Sequence, residues 1–115
     1  DIVQAEMERL WADIEVLLSR NLSPEEVFYY ASYIHFAFVC IHPFYDGNGR
    51  AARLLEKWFL ASCLGTKAWR IPSERYYYSH VNEYYLNLNR AGVFYEQLDF
   101  AKALPFLLML PQSIV

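Results

Sequence analysis

The segment HPFYDGNGRAAR, from His42 to Arg53, decides how the rest of this sequence is interpreted. Within twelve residues it holds a histidine, an aspartate, two glycines and two arginines. Apolar residues recur at three- and four-residue spacing on both sides of it, which is typical of helices. The sequence therefore predicts a polar loop between two helices.

The second half of the segment has the features of a phosphate-binding turn. Gly47 and Gly49 permit positive φ angles and let a ligand approach the main chain closely. Successive N–H groups in such a turn form an anion-binding nest, which here runs into a helix N-terminus that also favours anions. Arg50 and Arg53 are three residues apart and share one face of that helix. Cations are unfavourable at a helix N-terminus unless an anion lies between them, so the pattern predicts a phosphate site.

Two further side chains suit chemistry at a phosphate. Asp46 precedes the nest, and a carboxylate beside phosphates is repulsive unless a cation such as Mg²⁺ bridges them. His42, at the other edge of the loop, can take or give a proton near neutral pH. The segment thus supplies a base, a metal carboxylate, a backbone cradle and two arginines, which suits phosphoryl or nucleotidyl transfer.

Other loop types fit the segment less well. A plain connector between helices explains the glycines but not His42 and the arginines. An EF-hand calcium loop would need an oxygen ligand in place of Arg50 and a glycine in place of Ala51. A P-loop would need Gly-Lys-Ser/Thr after the nest.

Composition indicates a folded chain with one domain over residues 1–115. Of its 115 residues, 56% are hydrophobic and 18% aromatic, so it can bury a core and leave apolar surface for a partner. A net charge of -3 gives no case for nucleic-acid binding. Cys40 and Cys63 lie in apolar runs without metal or redox spacing, which predicts buried free thiols in a reducing compartment, the cytoplasm. We expect neither a membrane span nor a signal peptide.

Helical periodicity outlines five helices, in an all-α fold of five to six. Ser23 caps the second helix, with Pro24 in its first turn and Glu26 completing a capping box. That helix is apolar nearly all round, which predicts that it is buried at the centre. His42 lies at its end, because Pro43 disfavours a helical conformation at the preceding residue. The five helices are expected at residues 2–20, 24–41, 48–64, 72–92 and 100–110.

Glycine, proline and aspartate predict where the later helices begin and end. Gly65 is the expected end of the third helix, and the fourth runs from Pro72 to a stop near Gly92. Asp99 is the expected cap of the fifth helix, with a bend at Pro105. Residues 111–115 are expected to fray.

Residues 42–53 resemble the signature of the Fic-domain family, His-x-Phe-x-Asp/Glu-Gly-Asn-Gly-Arg-x-x-Arg, with every fixed position filled. The upstream helix with His35 and the later Arg-x-x-Tyr at residues 75–78 are similar to the family as well. The resemblance extends over about residues 7–110 and is diagnostic over residues 42–53 alone. It implies a Fic-fold helical bundle with the catalytic loop between two central helices.

The resemblance also implies an activity, the transfer of AMP from ATP to a Ser, Thr or Tyr hydroxyl of a target protein, with release of pyrophosphate. By that resemblance His42 is the general base and Asp46 holds Mg²⁺. Phe44 plugs into the core and fixes the loop, and Tyr78 lies near the adenine. The residues implied to bind the phosphates are Gly47, Asn48, Gly49, Arg50 and Arg53.

The other histidines and the tyrosine cluster are interpreted as structural. His35 precedes His42 by two helical turns and is expected to be a satisfied buried histidine that braces the loop. His80 is expected to be structural or on the surface. Most of the cluster at residues 76–78 should be core, with one ring available for a ligand.

Two alternatives to adenylylation stay open. Relatives with the same scaffold transfer phosphate, other nucleotides or phosphocholine, or remove AMP. The phosphate-transferring branch usually has a lysine where this chain has Gly49, which disfavours that activity. The second alternative is a toxin-type or regulatory binding module controlled by a partner, which exposed aromatic residues would favour.

Two elements of the family have no counterpart in this sequence. Fic proteins usually carry a β-hairpin flap that aligns the target backbone by strand addition, and the chain starts too late to contain it. Many also carry an inhibitory helix, Ser/Thr-x-x-x-Glu-Gly/Asn, whose Glu pairs with the second motif arginine, here Arg53. We therefore expect a fragment of a longer chain, inhibited by a missing segment or by a partner protein.

Overall fold

The computed structural model describes residues 2–90 and 102–114. Over these residues the chain forms seven α-helices and one short 3-10 helix and contains no β-strand, which confirms the all-α prediction. The helices are α1 (Ile2–Leu18), α2 (Pro24–Ile41), α3 (Asn48–Leu64), α4 (Ser73–Ser79), α5 (Val81–Asn89), α6 (Leu104–Leu107) and α7 (Met109–Gln112), with the 3-10 helix at Thr66–Arg70. Within the described ranges, no helix combines the length and the apolar character needed to span a bilayer.

Backbone contacts divide the chain into two compact units, residues 1–69 and residues 70–115. The first unit holds α1, α2, α3 and the loop of the motif. The second unit holds α4 to α7. The single domain expected over residues 1–115 stays a prediction.

Helix α2 is the buried centre of the first unit and packs against both α1 and α3. Its bounds match the prediction, and the predicted capping box is present. The Glu26 N–H donates to the Ser23 hydroxyl, and the Ser23 N–H donates to the Glu26 carboxylate. Because α2 is apolar nearly all round, it buries residues on every face. They are Val27, Ala31, Ser32, Ile34, His35, Phe36, Ala37, Phe38 and Ile41.

Helix α3 begins and ends at glycines, as predicted. Gly47 precedes it with a φ of 84°, and Gly65 follows it with a φ of 94°. Its core face recurs at helical spacing and comprises Ala52, Glu56, Phe59 and Leu60. The 3-10 helix after Gly65 was not predicted. It starts where the Ala68 N–H donates to the Gly65 carbonyl, an i to i+3 bond that apolar periodicity does not encode.

The predicted fourth helix, over residues 72–92, is wrong in its continuity. It is two helices, α4 and α5, that meet at His80, whose φ of -117° and ψ of 39° are not helical. The His80 ring stacks on the ring of Tyr76, and its Nδ1 lies 2.9 Å from the Tyr76 carbonyl oxygen. The main-chain bonds continue across the junction, since the His80 N–H donates to the Tyr76 carbonyl at 2.9 Å and the Tyr84 N–H donates to the His80 carbonyl at 2.8 Å. The predicted stop, Gly92, lies outside the described residues.

The predicted fifth helix differs at its start and in its continuity, since α6 ends at Leu107 and α7 begins at Met109. Asp99 and Phe100, the expected cap and first residue, lie outside the described residues. Helix α6 begins at Leu104, and Pro105 occupies its first turn instead of bending a longer helix. Proline is well tolerated there because the N–H it lacks would have no helical partner.

The end of the described chain is packed rather than frayed. Helix α7 includes Pro111, and the buried Ser113 hydroxyl donates to the Leu110 carbonyl at 2.6 Å. The fraying predicted from residue 111 is therefore wrong up to residue 114. The aromatic core of this unit joins α4, α5 and α6 through Tyr77, Tyr84 and Phe106, whose ring centroids lie 5.1–6.2 Å apart.

Candidate active site

The loop between α2 and α3 is closed by the side chain of Asn48. Its Oδ1 accepts the Phe44 N–H at 2.9 Å, and its Nδ2 donates to the Phe44 carbonyl at 2.8 Å. Asn48 is buried, whereas residues 44–46 are exposed. This amide therefore sets the shape of a loop that has little core contact of its own. The phosphate contact predicted for Asn48 stays a prediction.

His42 lies at the end of α2 with its side chain exposed, as the sequence predicts. Its φ of 56° and ψ of 58° place it in the left-handed region, which is uncommon for a residue other than glycine. Its N–H still donates to the Phe38 carbonyl at 3.0 Å, which is the last hydrogen bond of the helix. His42 therefore caps α2 and also changes the direction of the chain. Strained backbone of this kind persists where the surroundings fix it and is frequent at functional sites.

Helix α3 starts directly at the other edge of the loop. The Ala51 N–H donates to the Gly47 carbonyl at 3.0 Å and forms the first turn. The first N–H groups of a helix have no acceptor within it, and the helix dipole adds partial positive charge there. An anion is therefore favoured at the turn between Gly47 and Arg50.

The two glycines make room for the two arginines. A Cβ on Gly47 would lie 3.1 Å from an Arg50 guanidinium nitrogen, and a Cβ on Gly49 would lie 3.0 Å from Arg53 Nη1. The guanidinium groups thus lie close over the main chain of the turn. The structure brings both cations to the N-terminal turns of α3, as the sequence predicts.

Asp46 carries an exposed carboxylate beside this turn. Its side chain is 87% exposed and lies 3.6 Å from the guanidinium of Arg50, whose side chain is 75% exposed. Within the described ranges, no group of three histidine, cysteine or acidic side chains is arranged to hold a metal by itself. A carboxylate next to a helix N-terminus that favours anions fits Mg²⁺, which typically uses one or two carboxylates plus substrate phosphates.

Phe44 differs from its predicted place in the core. It is 52% exposed, and its ring packs against Phe38 with centroids 6.1 Å apart. The backbone bonds to Asn48 hold this part of the loop instead of a buried ring. The next residue, Tyr45, is fully exposed at the tip of the loop.

His35 is a satisfied buried histidine, as predicted. Its Nδ1 lies 2.8 Å from Glu56 Oε2, and both side chains are almost completely excluded from solvent. The pair joins α2 to α3 behind the loop. The sequence analysis did not single out Glu56. Its place on the apolar face of α3, with Ala52 and Phe59, was the available signal, because a buried carboxylate needs a hydrogen-bond partner.

The remaining predicted residues lie in the second unit. Tyr78 on α4 is 83% exposed, while Tyr77 is buried and Tyr76 is half-buried. One ring of the cluster is therefore exposed, but the prediction that most of the cluster is core holds for Tyr77 alone. The adenine contact predicted for Tyr78 stays a prediction. His80 is half-buried and joins two helices, which is the structural role expected for it.

An apolar groove of about 380 Å³ lies on the first unit. Three tryptophans, each 39–48% exposed, form much of its lining. The lining residues are Trp11, Phe38, Ala51, Leu54, Leu55, Trp58 and Trp69. The sequence prediction that apolar surface is left exposed is thus confirmed for this unit.

A family model described as the Fic/DOC family matches residues 1–60, just over half of the chain. The chain belongs to the Fic/DOC family. The match includes α1, α2, the loop and most of α3, and it stops before the helix that carries Tyr78. No curated protein and no solved structure matches the chain. Membership in the Fic/DOC family implies a transferase of the Fic type.

Proposed function

We propose that this chain is a protein adenylyltransferase that transfers AMP from Mg²⁺-bound ATP to a hydroxyl side chain of a target protein. One observation carries the proposal. An exposed, strained His42 ends one helix, and an arginine-flanked N-terminus begins the next, with a loop of fixed shape between them. A base and an anion cradle are thereby held on opposite edges of one loop. The target is a Ser, Thr or Tyr hydroxyl.

The reaction needs a base at the attacking hydroxyl and stabilisation of the charge on the phosphates, with the attacking and leaving oxygens in line at the α-phosphorus. His42 takes the proton from the target hydroxyl while its oxygen bonds to the α-phosphorus. The bond from that phosphorus to the bridging oxygen of the β-phosphate breaks, and pyrophosphate leaves. Arg50, Arg53 and the N–H groups of residues 47–49 hold the phosphates, with Arg53 orienting the α-phosphate. Mg²⁺ held by Asp46 would neutralise part of the phosphate charge.

Label transfer in cell lysate with Mg²⁺ tests the donor and the base together. ATP labelled at the α-phosphate is compared with ATP labelled at the γ-phosphate, for the wild type and for His42→Ala. His80→Ala serves as a matched control, since it removes an imidazole from a helix junction outside the motif. We expect a labelled protein with α-label alone, lost in His42→Ala and kept in His80→Ala. A band with γ-label alone would instead establish phosphoryl transfer.

Binding of Mg²⁺-ATP by calorimetry tests the cradle independently of any target. We expect His42→Ala to bind as the wild type does. Arg53→Ala should bind at least about tenfold more weakly, because it loses a charge-assisted phosphate contact. Asp46→Asn should also bind at least about tenfold more weakly, because it loses the carboxylate proposed to hold Mg²⁺. Arg9→Ala, an exposed arginine on α1, is the control. Wild-type affinity for Mg²⁺-ATP in both Arg53→Ala and Asp46→Asn would refute the proposal.

The groove favours a second candidate function, a module regulated by a partner protein. Its exposed tryptophans are the kind of apolar surface that marks interaction sites. The His42→Ala variant discriminates the two functions. A cellular effect kept in full without the base would favour the module over catalysis.

A further inference from the structure

The two helices that flank the loop are joined by a buried polar pair. His35 lies on α2, seven residues before His42, and Glu56 lies on α3, three residues after Arg53. Their side chains are 0% and 1% exposed, and the Nδ1 to Oε2 distance is 2.8 Å. The pair is thus placed two turns behind the base on one helix and one turn behind the second arginine on the other.

Stability alone does not account for such a pair. Taking a carboxylate and an imidazole out of water is costly, and apolar side chains of similar volume are often as stable or more stable in their place. A directional hydrogen bond does something that apolar packing does not, since it fixes how one helix slides and rotates against the other. The pair therefore specifies the register of α2 against α3.

The loop links the two helices through Phe44, which bonds to Asn48 of α3 and whose half-exposed ring packs against Phe38 of α2. Residues 44–46 are exposed, so this link lies outside the core, whereas the His35–Glu56 pair joins the helices inside it. The proposed phosphate cradle lies at the start of α3, whereas His42 ends α2. A displacement of about 1 Å between reacting groups can lower a rate by about 100-fold.

We propose that His35 and Glu56 are positioning residues that hold His42 in register with the phosphates bound at the start of α3. The inference rests on the proposed adenylyl transfer. It predicts that disrupting the pair lowers kcat and leaves the affinity for Mg²⁺-ATP unchanged, because the residues proposed to bind the phosphates, from Gly47 to Arg53, lie at the start of α3.

Two double variants separate the directional bond from charge and from stability. His35→Phe with Glu56→Leu replaces the pair by apolar groups, and His35→Gln with Glu56→Gln keeps a hydrogen bond without charge. Phe59→Leu, a fully buried change on α3, controls for general destabilisation. The measurements are kcat for AMP transfer, the dissociation constant of Mg²⁺-ATP, the melting temperature and amide hydrogen exchange over residues 42–48.

In the apolar pair, the double variant His35→Phe with Glu56→Leu, we expect kcat to fall at least about tenfold. Its dissociation constant for Mg²⁺-ATP should be unchanged, and its melting temperature should be no lower than that of the wild type. In the amide pair, the double variant His35→Gln with Glu56→Gln, kcat should stay within about threefold of the wild-type value, and the same is expected of Phe59→Leu. Wild-type kcat in the apolar pair, or a parallel loss in kcat and ATP affinity, would overturn the inference. If the apolar pair does not fold, Glu56→Ala takes its place, and an equal loss in Glu56→Ala and in the amide pair would overturn it.

Hydrogen exchange keeps the two proposals apart. A wild-type chain that transfers no AMP refutes the proposed function. In that case faster exchange over residues 42–48 in the apolar pair, but not in Phe59→Leu, still supports the positioning role. Unchanged exchange in the apolar pair refutes it.

Discussion

The Asn48 side chain bonds to both the N–H and the carbonyl of Phe44, at 2.9 and 2.8 Å. One buried amide thus fixes the loop between His42, the proposed base, and the start of α3, the proposed phosphate cradle. The same bonds explain how the loop keeps its shape although the Phe44 ring is half exposed.

Asn48→Ala should open the loop. Loss of two hydrogen bonds at a buried site should lower the free energy of unfolding by about 2–3 kcal/mol and weaken Mg²⁺-ATP binding. Asn48→Asp keeps the acceptor for the Phe44 N–H but places an oxygen against the Phe44 carbonyl and a negative charge in the cradle. We expect it to bind ATP at least as poorly as Asn48→Ala.

Urea unfolding and calorimetry measure both effects. Asn82→Ala, an exposed asparagine on α5, is the control for the substitution itself. Normal ATP affinity in both Asn48 variants would show that the amide does not shape the cradle.

The two glycines of the turn should respond differently to alanine. Gly47 has a φ of 84°, so Gly47→Ala strains the backbone and should lower the free energy of unfolding by about 1–2 kcal/mol. Gly49 lies in the helix, where alanine is favoured, but its Cβ would press on Arg53 Nη1. Gly49→Ala should therefore keep or raise stability while weakening ATP binding. Equal destabilisation by the two changes would contradict this assignment.

The capping box of α2 should contribute stability that depends on pH. Hydrogen bonds from the Ser23 backbone and then from its side chain lower the pKa of Glu26 below 4.5. A lowered folded-state pKa means that the contribution is complete above the unfolded pKa and is lost as pH falls through the folded pKa. Glu26→Gln should therefore be less stable than the wild type at pH 7, and the difference should shrink toward pH 3.

Urea unfolding at the two pH values measures this difference. Glu25→Gln, in the same first turn, controls for loss of charge near the helix N-terminus. Ser23→Ala should cost about 1 kcal/mol, as is typical for an N-cap serine. If Glu26→Gln lowers the free energy of unfolding by the same amount at pH 3 and at pH 7, the carboxylate does not have the capping role.

Cys40 should react slowly with alkylating reagents. Burial raises the pKa of its thiol to about 12 and also raises the pKa of Cys63. Both are free thiols, as the sequence predicts, but each is half-buried rather than fully buried. At pH 8 roughly one Cys40 in ten thousand is then the reactive thiolate, against roughly one in ten for a thiol of pKa 9. Iodoacetamide labelling of a Cys63→Ser variant should be slow in the native chain and fast in urea. Equal rates in the two conditions would exclude a buried thiol.

The sequence predicted most of what is local in the first unit. Helix α2 matches its predicted bounds because a serine cap, a first-turn proline and a proline after His42 each act within a few residues. The start of α3 was also predicted, because a glycine at position 47 permits the positive φ that the structure shows before this helix. Where local signals were weaker, the prediction failed. The backbone of His80 departs from helical geometry between α4 and α5, and Pro105 begins a helix rather than bending one.

By itself, the sequence determined the all-α fold, the loop from His42 to Gly47, and the family, because caps, turns and motif spacing are encoded within a few residues of each other. Only the tertiary structure decided that Glu56 is the partner of His35, that Asn48 braces the loop, and that the Phe44 ring stays half exposed. Such contacts depend on how two helices are placed against each other in space. That placement is set by the packing of whole helix faces, which no single stretch of sequence specifies.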